Sequence, residues 1–154
     1  MAIQILIVDD HQIVREGVRS LLTALRPAWA VSEAGDGMRA IELIRNHNPD
    51  LVVMDITMPD SSGLEVVARL RKLGFDRPIL MFTMHKSERL GSEARQAGAQ
   101  GYVLKSQAVD DLIRAIDILF AGGTFFGVPP EPEATRDKPS PGLVFFSGVT
   151  SAFA

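Results

Sequence analysis

Residues 3–10 read Ile3-Gln4-Ile5-Leu6-Ile7-Val8-Asp9-Asp10, an apolar run that ends at two adjacent carboxylates. A short run rich in β-branched residues predicts a buried strand. Three later apolar runs also end at a polar residue: 51–54 before Asp55, 78–82 before Thr83, and 101–104 before Lys105. In open parallel α/β sheets, ligands bind at the edge where the carboxyl ends of the strands meet. We therefore expect these polar side chains to form one site.

Stretches of helical periodicity separate the strands, and a further short strand is predicted around residues 29–33. The predicted helices run from Asp10 to Pro27, from Asp36-Gly37 to Pro49, from 64 to Gly74, over 87–97, and from a capping Ser106 to Gly122-Gly123. Alternating β and α units of this kind are typical of a parallel sheet covered by helices. Met38, Met54 and Met81 are expected to fill the core, because methionine adapts to irregular gaps.

Composition limits the class of protein. The chain has 154 residues, 46% apolar and 23% charged, with a net charge of −3 and no cysteine. Neither a disulfide framework nor a thiolate metal site is possible, and no basic surplus indicates nucleic-acid binding. The N-terminal apolar run is too short for a signal peptide or a membrane span. We expect a cytoplasmic protein that contacts neither membrane nor nucleic acid.

The polar strand ends suit phosphoryl-transfer chemistry. Clustered carboxylates repel each other unless a cation lies among them, and oxygen ligands suit Mg²⁺. Asp55 could then attack phosphorus as a carboxylate nucleophile. Lys105 would place a positive charge, and Thr83 a hydroxyl donor, on the phosphoryl oxygens. Taken singly, each residue also has an ordinary explanation as a helix cap, turn residue or surface charge, so the indication lies in the combination.

The chain resembles the receiver domain of two-component response regulators, and the NarL/FixJ group in particular. The resemblance covers about residues 3–126. It rests on motifs that the chain carries in order: Leu6-Ile7-Val8-Asp9-Asp10-His11, Asp55 with Met58-Pro59 and Gly63, Thr83-Met84-His85, Ala97-Gly98-Ala99-Gln100-Gly101-Tyr102, and Lys105. It implies a flavodoxin-like (CheY-like) three-layer α/β sandwich whose five-stranded parallel sheet has the strand order 2-1-3-4-5.

The same resemblance implies a role for each site residue. Asp55 would be the phosphoacceptor. Asp9, Asp10, Asp55 and the backbone carbonyl of Thr57 would hold Mg²⁺, for which Mn²⁺ could substitute. Thr83 and Lys105 would contact the phosphoryl group, and Tyr102 would be the switch aromatic. Met84 and His85 would modulate access and phosphate lifetime, whereas His11 is expected to start a helix rather than to bind metal.

The implied function is that of a phosphoacceptor signalling switch, not of an enzyme, since the domain catalyses only its own phosphorylation and dephosphorylation. A sensor histidine kinase or phosphotransfer protein would supply the phosphoryl group. The surface formed by helix four, strand five and helix five would carry the output, and a homodimer could form through it. The weak apolar character of the predicted helix over 87–97 also favours a mobile or partner-facing element.

The receiver domain is expected to span residues 1–127. Residues 128–154 are expected to form a Pro-rich linker and an apolar tail, with no second domain. NarL/FixJ regulators usually continue into a helix-turn-helix domain, whereas residues 128–154 show no basic recognition helix. The chain could therefore be a stand-alone or inactive receiver that acts as an interaction module, or a fragment of a transcription regulator that lacks its DNA-binding domain.

Two other classes of α/β protein fit the motifs less well. A phosphatase of the haloacid-dehalogenase type also uses an aspartate nucleophile, but it carries a second aspartate two residues later, where this chain has Thr57. A dinucleotide-binding protein needs a glycine-rich turn after the first strand, and Asp9-Asp10-His11 is not one. Both classes are therefore less favoured than a signalling switch.

Overall fold

The computed structural model describes residues 2–126, so the linker and tail predicted for 128–154 lie outside the described residues. Its strands are β1 (Gln4–Val8), β2 (Ala30–Ala34), β3 (Leu51–Asp55), β4 (Ile79–Thr83), β5 (Gly101–Leu104) and β6 (Phe125–Phe126). Its helices are α1 (Gln12–Leu25), α2 (Gly37–His47), α3 (Gly63–Lys72), α4 (Glu88–Ala97) and α5 (Ala108–Phe120), with a 3₁₀ turn at Lys105–Gln107. None of the described helices is long and apolar enough to cross a membrane.

The strands form one parallel sheet in the order β2-β1-β3-β4-β5-β6. The predicted order 2-1-3-4-5 is confirmed. The sheet has one short strand more than the predicted five: β6 pairs with the outer edge of β5, with Tyr102 opposite Phe126. Two cation–π contacts stabilise β6 at the sheet edge. The guanidinium of Arg95 in α4 lies 4.1 Å from the ring centre of Phe126, and the guanidinium of Arg114 in α5 lies 5.2 Å from the ring centre of Phe125.

Helices cover both faces of the sheet, as an all-parallel sheet requires. α1 and α5 pack on one face through side chains such as Leu22 and Ile116. α2, α3 and α4 pack on the other, through Ile44, Val67 and Ala94. The result is the predicted three-layer α/β sandwich, in which every residue of β3, β4 and β5 is buried.

Two local predictions need correction. Ser106 does not cap α5, because it lies inside the 3₁₀ turn and the helix begins only at Ala108. Met54 and Met81 are fully buried, as predicted, but Met38 is 75% exposed because the first turn of α2 directs it away from the sheet side of the helix. α4 is weakly packed, since Ala94 is its one fully buried residue, and its predicted role as a partner-facing element stays a prediction.

The loop between β3 and α3 folds tightly against the end of β3. Gly63, the first residue of α3, donates its N–H to the carbonyl of Ile56 at 2.6 Å, and Thr57 bridges to Ser62 across the loop. A Cβ at position 63 would overlap the backbone oxygen of Asp55. The absence of a side chain at this position therefore lets the helix start against the strand that carries Asp55.

We expect Gly63→Ala to destabilise the fold by about 1–3 kcal/mol, the usual cost of overpacking. The added methyl group would collide with the backbone oxygen of Asp55, which cannot move aside as a flexible side chain could. Gly91→Ala is the matched control, because Gly91 lies within α4 with nothing near its missing side chain. This control should stabilise by about 0.5–1 kcal/mol through helix propensity. Urea unfolding measures both, and equal stability of the two variants would contradict the close contact.

Candidate functional site

A cleft opens at the carboxyl edge of the sheet, where the polar strand ends were predicted to meet. Its lining contains seven of the predicted site residues: Asp10, Asp55, Thr57, Thr83, Met84, His85 and Lys105. His11, Met58 and Pro59 complete the lining. Asp9 and Tyr102 lie beneath this surface and are buried. The strands thus bring together side chains that are almost 100 positions apart in the sequence.

A single ammonium group links two buried carboxylates at the base of the cleft. Lys105 Nζ lies 2.7 Å from Asp9 Oδ2 and 3.4 Å from Asp55 Oδ1. The side chains of Asp9, Asp55 and Lys105 are 2%, 5% and 13% exposed, so water screens this group of charges poorly. Three carboxylates, with Asp10, therefore face one lysine, and the cleft carries an excess of negative charge.

That imbalance affects the protonation of Asp55. Burial raises the pKa of the Asp55 carboxyl above its usual range, and the nearby charge of Asp9 raises this pKa further. Lys105 and the N–H of Thr57, 3.4 Å from Asp55 Oδ1, oppose the shift only in part. Burial of Asp55 thus raises the free-energy cost of its ionised form. A cation beside the carboxylate, or an electrophile bonded to it, would lower this cost.

The cleft has the donor set of a divalent-cation site. Asp9, Asp10, His11 and Asp55 each offer one potential ligand atom, and these atoms lie within 4.8 Å of one another. Asp10 Oδ1 is buried and accepts no hydrogen bond from any described residue. A buried carboxylate oxygen is normally paired, so its free lone pairs fit a bound cation. Carboxylate oxygens suit Mg²⁺, so the acidic cluster is compatible with the predicted ion.

Thr83 and Tyr102 are both tied to the connection between β4 and α4. Thr83 Oγ1 accepts the backbone N–H of His85 at 3.2 Å, and the Tyr102 hydroxyl donates to the backbone carbonyl of the same residue. Tyr102 is fully buried, and this burial raises its pKa. A shift of Thr83 would therefore move His85 and, through it, the contact that holds Tyr102.

Met84 and His85, the predicted modulating residues, both lie at the mouth of the cleft. Met84 is 76% exposed, so its side chain stands at the surface instead of closing over Asp55. His85 is exposed as well and shares the cleft with Thr57. The cleft is accordingly open to solvent from this side.

Sequence reasoning missed the residues that hold Asp9 from behind. The Arg15 guanidinium in α1 donates from Nη1 to the Asp9 carbonyl at 2.5 Å and from Nε to Glu33 Oε1 at 2.9 Å. Arg19 donates to the other oxygen of Glu33 at 2.6 Å, and these arginines lower the pKa of that carboxyl. Only the pairing of β1 with β2 brings Glu33 to α1, so the sequence carries no local signal for this network.

Comparison with known proteins agrees with this geometry. Residues 5–117 match the family described as response regulator receiver domain. The chain is 39% identical over 124 residues to the transcriptional regulatory protein DegU of Brevibacillus brevis, covering 80% of this chain and 52% of that protein. It is 36% identical over 118 residues to the nitrate/nitrite response regulator protein NarL of Escherichia coli K12, covering 77% and 55%. The chain thus spans about half the length of these relatives.

Solved structures show the same fold. A two-component response regulator of the LuxR family from Aurantimonas superposes with a TM-score of 0.78 at 39% identity, over 88% of this chain and 94% of that one. The chemotaxis protein CheY4 of Vibrio cholerae superposes with a TM-score of 0.71 at 27% identity, over 76% and 98%. Such domains serve in signalling and are not classical enzymes. The chain therefore belongs to the response regulator receiver domain family of two-component systems.

Proposed function

We propose that this receiver domain is a phosphoacceptor switch that takes a phosphoryl group onto Asp55, with Mg²⁺ bound beside it. The donor would be a sensor histidine kinase or a phosphotransfer protein of the cytoplasm. The observation that carries the proposal is the Lys105 ammonium, 3.4 Å from Asp55 Oδ1 at the base of an open acidic cleft. A carboxylate with an adjacent cationic group and room above it has the arrangement that phosphoryl transfer requires.

The proposed step is an in-line transfer between two nucleophiles. A carboxylate oxygen of Asp55 forms a bond to phosphorus while the bond from phosphorus to the donor's imidazole nitrogen breaks, and the electron pair leaves with that nitrogen. The product is an acyl phosphate. Lys105 Nζ would pair with a phosphoryl oxygen, and Thr83 Oγ1 would donate to another. Mg²⁺ held by Asp9, Asp10, Asp55 and the Thr57 carbonyl would neutralise charge on the phosphoryl oxygens.

Recruitment of Thr83 to the phosphoryl group would alter the connection between β4 and α4. His85 is held by Thr83 on one side and by Tyr102 on the other, so both contacts would change together. We infer that phosphorylation shifts the population between two arrangements of the α4–β5–α5 surface, with Tyr102 as the switch aromatic. A homodimer through this surface would also meet β6, which lies along the outer edge of β5.

A second candidate function is that of the receiver part of a transcription regulator. The relatives DegU and NarL carry regulatory names, and the chain spans about half of each. DNA binding would then belong to a separate domain, because no basic surplus marks this one. The receiver would act by the same phosphorylation-dependent surface in either case.

We expect the protein to gain the mass of one phosphoryl group when it is incubated with acetyl phosphate and Mg²⁺. Asp55→Asn should abolish the gain because an amide is a poor nucleophile, and chelation of Mg²⁺ should prevent it. Asp60→Asn is the matched control: it removes an exposed carboxylate from the neighbouring loop and should be labelled like the native protein. Intact mass spectrometry is the measurement, and label that persists in Asp55→Asn would refute the assignment.

Lys105→Ala should uncouple the site from the α4–β5–α5 surface, because no ammonium remains to draw the phosphoryl group towards β5. Hydrogen exchange of α4 amides, measured with and without phosphodonor, should differ in the native protein and hardly at all in the variant. Lys72→Ala, at the exposed end of α3, serves as control and should respond like the native protein. A native-sized exchange difference in phosphorylated Lys105→Ala would exclude this role.

Asp55→Asn should also raise thermal stability near neutral pH when a chelator keeps cations away. The raised pKa means that the native state binds the Asp55 proton more tightly than the unfolded state does. The contribution of the Asp55 proton to the free energy of unfolding is complete below the ordinary aspartate pKa of about 4. This contribution is lost as the pH rises through the raised pKa that Asp55 has in the native state. The advantage of the variant should therefore shrink as the pH is lowered towards 4 in calorimetric scans. An advantage that stays constant with pH, or that Asp60→Asn shares, would show that protonation of Asp55 is not its source.

A further inference from the structure

We propose that His11 is a ligand of the divalent cation at the acidic cleft and shifts its preference towards ions that favour nitrogen, such as Co²⁺ or Ni²⁺, relative to Mg²⁺. The inference rests on the proposed function, since it concerns the same cation. It departs from the sequence-based expectation that His11 only starts a helix.

His11 occupies the N-cap position of α1, but its side chain makes no capping hydrogen bond. Its imidazole points instead at the acid pair: Nδ1 lies 3.4 Å from Asp9 Oδ1 and 3.3 Å from Asp10 Oδ1. The backbone N–H of His11 also donates to Asp9 Oδ1 at 2.9 Å, which keeps the residue close to that carboxylate. The chain direction at the start of α1 therefore places a nitrogen ligand among oxygen ligands.

The spacing suits a metal ion. The ligand atoms of Asp9, Asp10, His11 and Asp55 lie within 4.8 Å of one another. Ligands on opposite sides of an ion with bonds of about 2.1 Å are about 4.2 Å apart, so a contraction of less than about 1 Å closes the cluster. His11 is 65% exposed and its imidazole stands at the mouth of the cleft, so this small movement needs no repacking.

The proposed metal position beside His11 is separate from the position of the Lys105 ammonium. Lys105 contacts Asp9 through Oδ2, whereas His11 faces Oδ1 of the same carboxylate. Asp10 Oδ1, which accepts no hydrogen bond from the described residues, lies on the His11 side. An ion held by Asp10 and His11 would therefore leave the contact between Lys105 and Asp9 intact.

The nitrogen has a predictable effect on metal preference. Mg²⁺ takes oxygen ligands and retains several waters, so exchanging one water for an imidazole gains it little. Imidazole suits the later first-row ions, and their affinities rise from Mn²⁺ through Co²⁺ to Ni²⁺ at a given site. His11 should accordingly strengthen the binding of Co²⁺ and Ni²⁺ and leave that of Mg²⁺ nearly unchanged.

The test compares His11→Gln with the native chain and with His47→Gln, all without a histidine tag. His47 lies at the exposed end of α2, so His47→Gln is the matched control that removes an imidazole outside the cleft. Calorimetric titration should show that His11→Gln lowers the affinity for Co²⁺ and leaves the affinity for Mg²⁺ nearly unchanged. The loss of Co²⁺ affinity should be at least about 10-fold, which is the loss that removal of an outer-shell partner of a metal ligand causes. Proton NMR of the Co²⁺ complex should show a strongly shifted imidazole N–H that only His11→Gln removes.

Each outcome has a distinct meaning. Equal Co²⁺ affinity in the native chain and His11→Gln, with the shifted proton in both or in neither, overturns the role of His11 and leaves the Asp55 proposal standing. Equal loss of Mg²⁺ and Co²⁺ affinity in His11→Gln overturns the change in preference. Failure of the native chain to bind Mg²⁺ at all, or Mg²⁺ binding that survives Asp10→Asn, overturns the proposed cation site and with it the present inference.

Discussion

The ammonium of Lys105 lies between the carboxylates of Asp9 and Asp55, and the geometry of the cleft depends on this contact. Without it, two nearly buried negative charges would face each other with little water to screen them. One lysine only partly offsets the burial and the repulsion that raise the pKa of Asp55. The remaining negative charge, together with a buried Asp10 oxygen that accepts no hydrogen bond from the described residues, is what makes this end of the sheet suited to a cation.

The scaffold around this contact keeps the charged groups in place. Arg15 holds the backbone of Asp9 and is itself held by Glu33, so the acid pair is supported from β2 and α1. Gly63 lets α3 start against the backbone of Asp55. Such supports matter because charged groups act on a reacting group only when they are held in position beforehand.

The same end of the sheet is joined to the weakly packed helix α4. Thr83 and Tyr102 hold the backbone of His85 from two neighbouring strands. Beyond this connection lies α4, which has one fully buried residue and so gains little from packing. β6 adds to this region, because the cation of Arg95 in α4 stacks on its Phe126 ring. A change at the cleft would therefore reach a weakly packed helix and the strand beside it.

The sequence by itself determined the α/β class, the five main strands and the residue types that follow their ends. Alternating periodicities and polar strand ends are local features, which a single sequence displays directly. Only the tertiary structure decided that β6 joins the sheet, that Met38 faces solvent, that Arg15 supports Asp9 through Glu33, and that His11 turns towards the acid pair. These features depend on contacts between distant segments and on the direction in which a side chain leaves its helix, and neither is encoded in the order of neighbouring residues.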